Sequence, residues 1–180
     1  MQKEISISGF GGQGILFAGQ LLAYAAMDRG MNVTWYPSYG PEMRRGTANC
    51  MVIISDKEIG AALEGQPAAA LVMNQPSLDK YEPLVKPGGF LVIDSSLVEK
   101  KATRKDIKVV YVPATRLSEE LGNRRMANMV MLGALLGNME ILSLKDLEKA
   151  LSEHLPERHR KLLPANVQAM EAGAKYKPAA

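Results

Sequence analysis

The residues best suited to chemistry in this 180-residue chain form a glycine run with one glutamine, Gly9-Phe10-Gly11-Gly12-Gln13-Gly14. Glycines permit a tight turn and close backbone approach. The amides that open a helix then offer unpaired N–H donors and a positive dipole end to an anion. The same glycines could instead serve to pack a helix hard against a sheet, and both readings stand at this level. A second run, Tyr39-Gly40-Pro41-Glu42-Met43-Arg44-Arg45-Gly46, carries two guanidinium forks suited to phosphate or carboxylate. Glu42 could also pair with Arg44 or Arg45 at the surface, where such a pair contributes little. Asn74 and Gln75 place two amides side by side at the end of an apolar stretch. Asn128 sits inside Met126-Ala127-Asn128-Met129-Val130-Met131-Leu132. A buried amide without partners costs about 1–3 kcal/mol, so Asn128 is expected to bond to a backbone carbonyl or loop, with a ligand as the alternative. The methionines around it read as core filler or as a contact surface for another chain.

Other chemistries are poorly supplied. Cys50 is the single cysteine, which excludes an internal disulfide and a self-contained iron–sulfur or cysteine-based zinc site. Its mid-strand position predicts a buried, inert thiol. His154 and His159 are separated by Pro156 and do not share a helix face, so they read as surface histidines and no metal site is expected. No nucleophile–base pair and no paired carboxylates stand out, so no catalytic residue is assigned. The net charge of +3 comes without a basic stripe carrying aromatics, which argues against nucleic acid. The basic run Glu99–Lys105 reads as a solvated loop. The longest uncharged run, Met126–Met139, is shorter than the roughly 20 residues a membrane helix needs. Met1-Gln2-Lys3-Glu4 leads straight into a strand pattern, so no leader and a cytoplasmic location are expected.

The elements that must position these residues follow from periodicity. Glu4–Ser8 alternates as a strand, and Ile15, Ala18, Leu22, Ala25 and Ala26 recur at helical spacing up to the stop Asp28-Arg29-Gly30. Strands are predicted over Asn32–Tyr36, Ala48–Ser55, Ala68–Met73, Phe90–Ile93 and Ile107–Val112, with a short edge segment near Ile59. Ser77 is predicted to cap a helix running to Val85. Further helices are expected over Thr115–Leu121, Arg124–Leu136 (capped by Asn123), to His154 (capped by Ser143) and over Pro164–Ala174, with frayed last residues. Strands alternating with helices predict an α/β fold: a single domain over residues 1–180, with a mostly parallel sheet and helices on both faces. This is a Rossmann-like three-layer core over about 4–154, followed by a C-terminal helical segment over about 155–180. In such sheets ligands bind beyond the carboxyl ends of the strands, where the glycine turn, the Tyr39–Gly46 loop, Asn74-Gln75 and Asp94-Ser95 should share one rim.

A dinucleotide-binding fold usually ends its second strand with an acidic residue for the ribose. Here Tyr36-Pro37-Ser38 holds that place, which disfavours NAD and leaves the turn for another phosphate, another ligand or a partner chain.

Taken together and in order, Gly9–Ile15, Ser38–Arg44, Asn74–Ser77 and Asn123–Met129 resemble the gamma subunit of 2-oxoacid:ferredoxin oxidoreductases. The loop resembles the 2-oxoglutarate and branched-chain types, and departs from the family's usual pattern with Arg45 where a glycine is common. The resemblance implies a subunit of a multi-chain enzyme that converts a 2-oxo acid and coenzyme A to acyl-CoA and carbon dioxide while reducing ferredoxin. Thiamine diphosphate, Mg2+ and iron–sulfur clusters would sit on the alpha, beta and delta chains, and this chain would hold none of them alone. It implies that Gly9, Gly11, Gly12, Gln13, Gly14, Tyr39, Gly40, Glu42, Arg44, Arg45, Asn74, Gln75 and Asn128 lie where coenzyme A or a partner would be met. A stand-alone nucleotide- or CoA-binding module without catalytic activity is the alternative.

Overall fold

Alternation in the first ten residues gives strand β1 (Gln2–Phe10), whose middle is buried on both faces. The computed structural model describes residues 1–39, 47–60 and 65–179 of the chain. Helix α1 (Ile15–Asp28) follows the glycine turn and buries Ile15, Ala18, Leu22, Ala25 and Ala26. Its predicted stop is observed, with Gly30 at φ 73° and its amide on the Met27 carbonyl. Strands β2 (Asn32–Tyr39), β3 (Thr47–Ser55), β4 (Ala69–Val72), β5 (Phe90–Asp94) and β6 (Lys108–Val112) complete one sheet of order β2-β3-β1-β4-β5-β6.

β1, β4, β5 and β6 run parallel, while β3 is antiparallel to both β1 and β2. The mostly parallel sheet is therefore observed, with one reversed strand that sequence did not foresee. Residues 40–46 are too few for a parallel crossover, which takes about a dozen or more, so β2 and β3 pair as neighbours of opposite direction. β2 runs on through Pro37-Ser38-Tyr39, expected as loop; it is an edge strand, where a proline removes no interior ladder bond. Residues 58–60 are irregular rather than an edge strand.

Helices cover both faces, unequally. One face carries α1 and α4 (Ala127–Leu136), with α3 (Ala114–Glu120), α5 (Leu144–His154) and α6 (Leu163–Ala174) packed around them. The other carries α2 (Gln75–Tyr81) and the 3-10 turn Glu82–Leu84 over Ala70, Val72, Leu91 and Ile93. Nine of the ten α4 residues are buried, as befits a helix apolar all round, wedged between the sheet and α6. Two glycines allow that crossing. A Cβ on Gly133 would lie 1.9 Å from the Met170 carbonyl oxygen, and one on Gly173 would lie 1.9 Å from that of Val130.

Several boundaries differ from expectation. Asn74, not Ser77, caps α2, because its Oδ1 accepts the Ser77 amide at 2.8 Å. The helix expected from Arg124 begins as a 3-10 turn, Arg124–Met126, with Asn123 accepting the Arg125 amide. The last residues are tied down rather than frayed: Asn138 Nδ2 donates to the Tyr176 carbonyl at 2.7 Å, and the Ala179 amide donates to Val109 on the β6 edge at 2.9 Å. The Ser143 cap is observed, as a reciprocal capping box with Asp146.

Candidate functional site

The carboxyl ends of β1, β2, β4, β5 and β6 share one edge, as the pairing of Phe10 with Thr47, Tyr39 with Ala48, Ser8 with Val72 and Asp94 with Val112 requires. The glycine turn, Asn74-Gln75 and Asp94–Ser96 therefore lie along a common rim, which β2 and β3 also reach. Gly40, Glu42, Arg44 and Arg45 lie outside the described residues, and of Tyr39 only the backbone in β2 is described.

The turn is held by two amide side chains. The Phe10 amide donates to Gln13 Oε1 at 2.6 Å, and Gln13 Nε2 donates to the Met73 carbonyl at 3.2 Å, so Gln13 ties the ends of β1 and β4 together. Gly9 makes room for this: a Cβ there would come 2.4 Å from Gln13 Oε1. On the far side, Asn128 Nδ2 donates to the Gly14 carbonyl at 3.1 Å, while its Oδ1 accepts the Met129 amide at 2.9 Å. The expectation of a backbone partner for Asn128 is met, and that partner is the turn itself. Gly14 sits at φ 73°, and a Cβ on it would press within 2.4 Å of Asn128 Nδ2.

What remains open is the outer lip. Gly11 and Gly12 are exposed, and among the described residues nothing accepts their amides. Gly12 has φ 92°, and among the described residues, its chain neighbours aside, no atom lies within 4 Å of the place a Cβ would take. Gly14 occupies the N-cap of α1, where no side chain among the described residues caps the helix, and no acidic residue stands in the first turn. Such a helix start presents N–H groups and partial positive charge to an anion. Phe10 (43% exposed) and Phe17 (38%) flank it with aromatic surface, a feature the sequence reading passed over. The tight helix-on-sheet packing falls instead to Gly19, where a Cβ would lie 2.4 Å from Cys50 Sγ.

Along the rim, Asn74 is only 1% exposed and works as the α2 cap, while its Nδ2 and the Ser77 hydroxyl are buried with no hydrogen-bond partner among the described residues. Gln75 joins a surface network, donating to Asp79 Oδ1 at 3.2 Å and accepting the Lys100 amide at 3.3 Å. Lys100 Nζ lies 2.8 Å from Asp79 Oδ1 and holds that carboxyl below the usual range. Asp94, wholly buried, binds Thr115 Oγ1 at 2.6 Å and the Ser96 amide at 3.0 Å, fixing the rim after β5 and β6. The basic run 99–105 is partly structural: Arg104 caps the carbonyl of Glu82 at 3.1 Å, and Glu82 in turn accepts the Arg104 amide at 2.8 Å.

Cys50 is sealed beneath α1, where burial pushes its thiol up to about 11 against the lesser opposing pull of the Trp35 indole and the Gly19 backbone. It is neutral at physiological pH, so it is not poised as a nucleophile or thiolate ligand. At the surface, Asp28, Glu153 and His154 bring ligand atoms within 4.8 Å of one another. Asp28 is engaged by His154 at 3.1 Å and Glu153 faces Lys149 at 3.9 Å, while the His154 ring stacks on Tyr24 at 4.2 Å. No helix among the described residues is long and apolar enough to cross a membrane.

Fold and rim define an α/β domain with an exposed glycine turn at the carboxyl edge of its sheet and a single buried, protonated thiol. A family model described as pyruvate ferredoxin/flavodoxin oxidoreductase matches residues 4–176, and the chain belongs to that family. It is 39% identical over 160 residues to the 2-oxoglutarate synthase subunit KorC of Methanocaldococcus jannaschii, which covers 87% of this chain and 86% of the relative. It is 35% identical over 176 residues to the ketoisovalerate oxidoreductase subunit VorA of Methanothermobacter thermautotrophicus. That match takes in 97% of this chain but 36% of the relative, so the chain spans about a third of that relative's length. Among solved structures, the keto/oxoacid ferredoxin oxidoreductase gamma subunit from Geobacter sulfurreducens superposes with a TM-score of 0.81 at 34% identity, covering 96% of each chain.

Proposed function

We propose that this chain is the gamma subunit of a cytoplasmic 2-oxoacid:ferredoxin oxidoreductase of the 2-oxoglutarate type, working with alpha, beta and delta chains. Its reaction joins a 2-oxo acid to coenzyme A, releases carbon dioxide and passes the electrons to ferredoxin. In that assembly thiamine diphosphate with Mg2+ supplies the carbanion chemistry and iron–sulfur clusters carry electrons, both on companion chains. A single buried, protonated cysteine supports placing the clusters elsewhere.

The observation that carries this reading is the exposed Gly11-Gly12 lip before α1, a helix start that no side chain among the described residues caps. The amides of Gly11 and Gly12 and the first turn of α1 would receive a phosphate of coenzyme A, with Phe10 beside them. Gly9 and Gly14 make room for Gln13 and Asn128, which position the turn, and Asn74 positions the end of β4. Tyr39, Gly40, Glu42, Arg44, Arg45 and Gln75 are proposed to complete the contact with coenzyme A or a neighbouring chain. The match to KorC, over 87% of this chain and 86% of that relative, supports the substrate class.

The test is anaerobic co-expression with the companion subunits and measurement of 2-oxo acid-dependent ferredoxin reduction. A Gly12→Val side chain meets no other described residue beyond its chain neighbours, so it strains the backbone at φ 92° and stands on the lip where the phosphate would lie. The expected result is a KM for coenzyme A raised about tenfold, equivalent to about 1.4 kcal/mol, with the 2-oxo acid KM unchanged. An unaltered coenzyme A KM would remove the turn from the site.

A further inference from the structure

We infer that the groove between α1, the end of α5 and the 3-10 turn Glu157–Leu162 is a binding site for a small aromatic carboxylate. The site is distinct from the glycine lip, since neither Gly11 nor Gly12 lines it. Nothing in its chemistry depends on the chain being a subunit.

The groove has a volume of about 710 Å³. Small-molecule pockets run to roughly 300–1,000 Å³ and form readily between packed helices. Leu21, Met126, Leu151 and Leu162 give the lining its apolar character, which suits a hydrocarbon body. Aromatic planes give that body its shape. The rings of Tyr24 and His154, which both line the groove, stack with centres 4.2 Å apart and planes 8° from parallel. Gln20 Nε2 donates to the Tyr24 hydroxyl at 3.0 Å, and Asp28 engages His154 at 3.1 Å, so each ring of the pair is held. Phe17, also lining the groove, is left 38% exposed. Rings fixed in advance offer flat apolar surface to a planar ligand at little ordering cost.

The ligand's charge follows from the lining itself. Arg125 lines the groove, and among the described residues no Asp or Glu does. Arg125 has no ion-pair partner among the described residues, whereas Arg124 beside it is taken by Glu119 at 3.3 Å. A guanidinium fork lacking a carboxylate of its own matches one supplied by a ligand. His159, a further lining residue, accepts from Arg158 Nε at 3.2 Å through Nε2, which leaves the proton of its neutral ring on Nδ1 as a second donor. The lining also includes a buried amide, Asn166, 7% exposed. Its Nδ2 donates to the Leu162 carbonyl at 2.8 Å, while its Oδ1 takes no hydrogen bond among the described residues. A hydroxyl or N–H on the ligand's ring would satisfy that oxygen. An occupant also lies against the clamp of the glycine turn, because Asn128 lines the groove and holds the Gly14 carbonyl.

The test titrates the full chain with 6-hydroxy-2-naphthoate, a flat carboxylate with one ring hydroxyl whose own fluorescence reports binding, and with its uncharged methyl ester. Saturable binding is expected, with the acid held about tenfold more tightly than the ester. Arg125→Met removes an exposed side chain and leaves the core intact. It is expected to weaken the acid about tenfold and leave the ester unchanged. Gln20→Trp fills the groove and is expected to abolish binding of both, with near-UV circular dichroism verifying that each variant folds. Absence of saturable binding by the wild type would overturn the assignment, as would equal affinity for acid and ester or wild-type affinity in folded Arg125→Met. The titration is then repeated on the chain assembled with its companion subunits. Binding that disappears there would also overturn the assignment, marking the groove as a seat for another polypeptide. None of these outcomes touches the coenzyme A KM of the Gly12→Val enzyme, so the two readings fail separately.

Discussion

Replacing Gly14 with alanine probes the glycine turn most directly, because two separable penalties are set by the geometry. The backbone at Gly14 has φ 73°, which costs an L-residue about 1–2 kcal/mol. The new methyl would also lie 2.4 Å from Asn128 Nδ2, so the amide must swing away and lose its bonds to the Gly14 carbonyl and the Met129 amide. Those two bonds contribute about 1 kcal/mol each, bringing the loss to roughly 3–4 kcal/mol. Asn128→Ala alone forfeits the same bonds, about 2 kcal/mol. In the double variant the clash has nothing left to displace, so the cost stays near 3–4 kcal/mol rather than the sum of about 5–6. Urea unfolding of the four proteins at 25 °C measures the difference. A coupling of about 2 kcal/mol is expected; additivity within about 0.5 kcal/mol would refute the claim that Asn128 clamps the turn.

The α4–α6 crossing should be equally intolerant: Gly133→Ala or Gly173→Ala must push the helices apart, costing about 3 kcal/mol or more and lowering Tm by about 6–12 °C in a scanning melt. At Asp146, desolvation opposes ionisation, but the Ser143 amide and hydroxyl and the Arg29 and Lys149 charges outweigh it and hold the carboxyl below its ordinary value. A depressed folded-state pKa stabilises above the unfolded value near 3.9 and ceases to do so as pH falls through the folded value, so wild type should exceed Asp146→Asn in stability at pH 7 and lose that lead below about pH 4. Ser143→Ala should cost about 1 kcal/mol by removing the other half of the capping box. Cys50, with its thiol raised to about 11, should resist iodoacetamide at pH 8 in the folded protein and react on unfolding, as mass spectrometry would record.

How much of this was written in the chain can be judged element by element. The glycine turn between strand and helix, the stop at Gly30 and the Ser143 cap depend on neighbours a few residues apart, and local spacing reveals them. The mostly parallel α/β fold follows from the same alternation of short apolar strands and amphipathic helices. The apolar stretch around Asn128 likewise announced a buried helix and an amide in need of a partner.

Which partner was a matter of tertiary structure. Asn128 reaches across 114 residues to Gly14, and Gln13 across 60 to Met73, contacts that no periodicity encodes. The reversal of β3, the tail bonded to the β6 edge and the glycine-to-carbonyl crossing of α4 and α6 were decided the same way. The physical reason is shared. Spacing along the chain fixes which face of an element is apolar, whereas the satisfaction of a buried amide or carbonyl depends on what the fold brings within 3 Å of it. Sequence thus located the glycine turn at the sheet's carboxyl edge; only the packed chain determined which amides hold that turn and which are left facing outward.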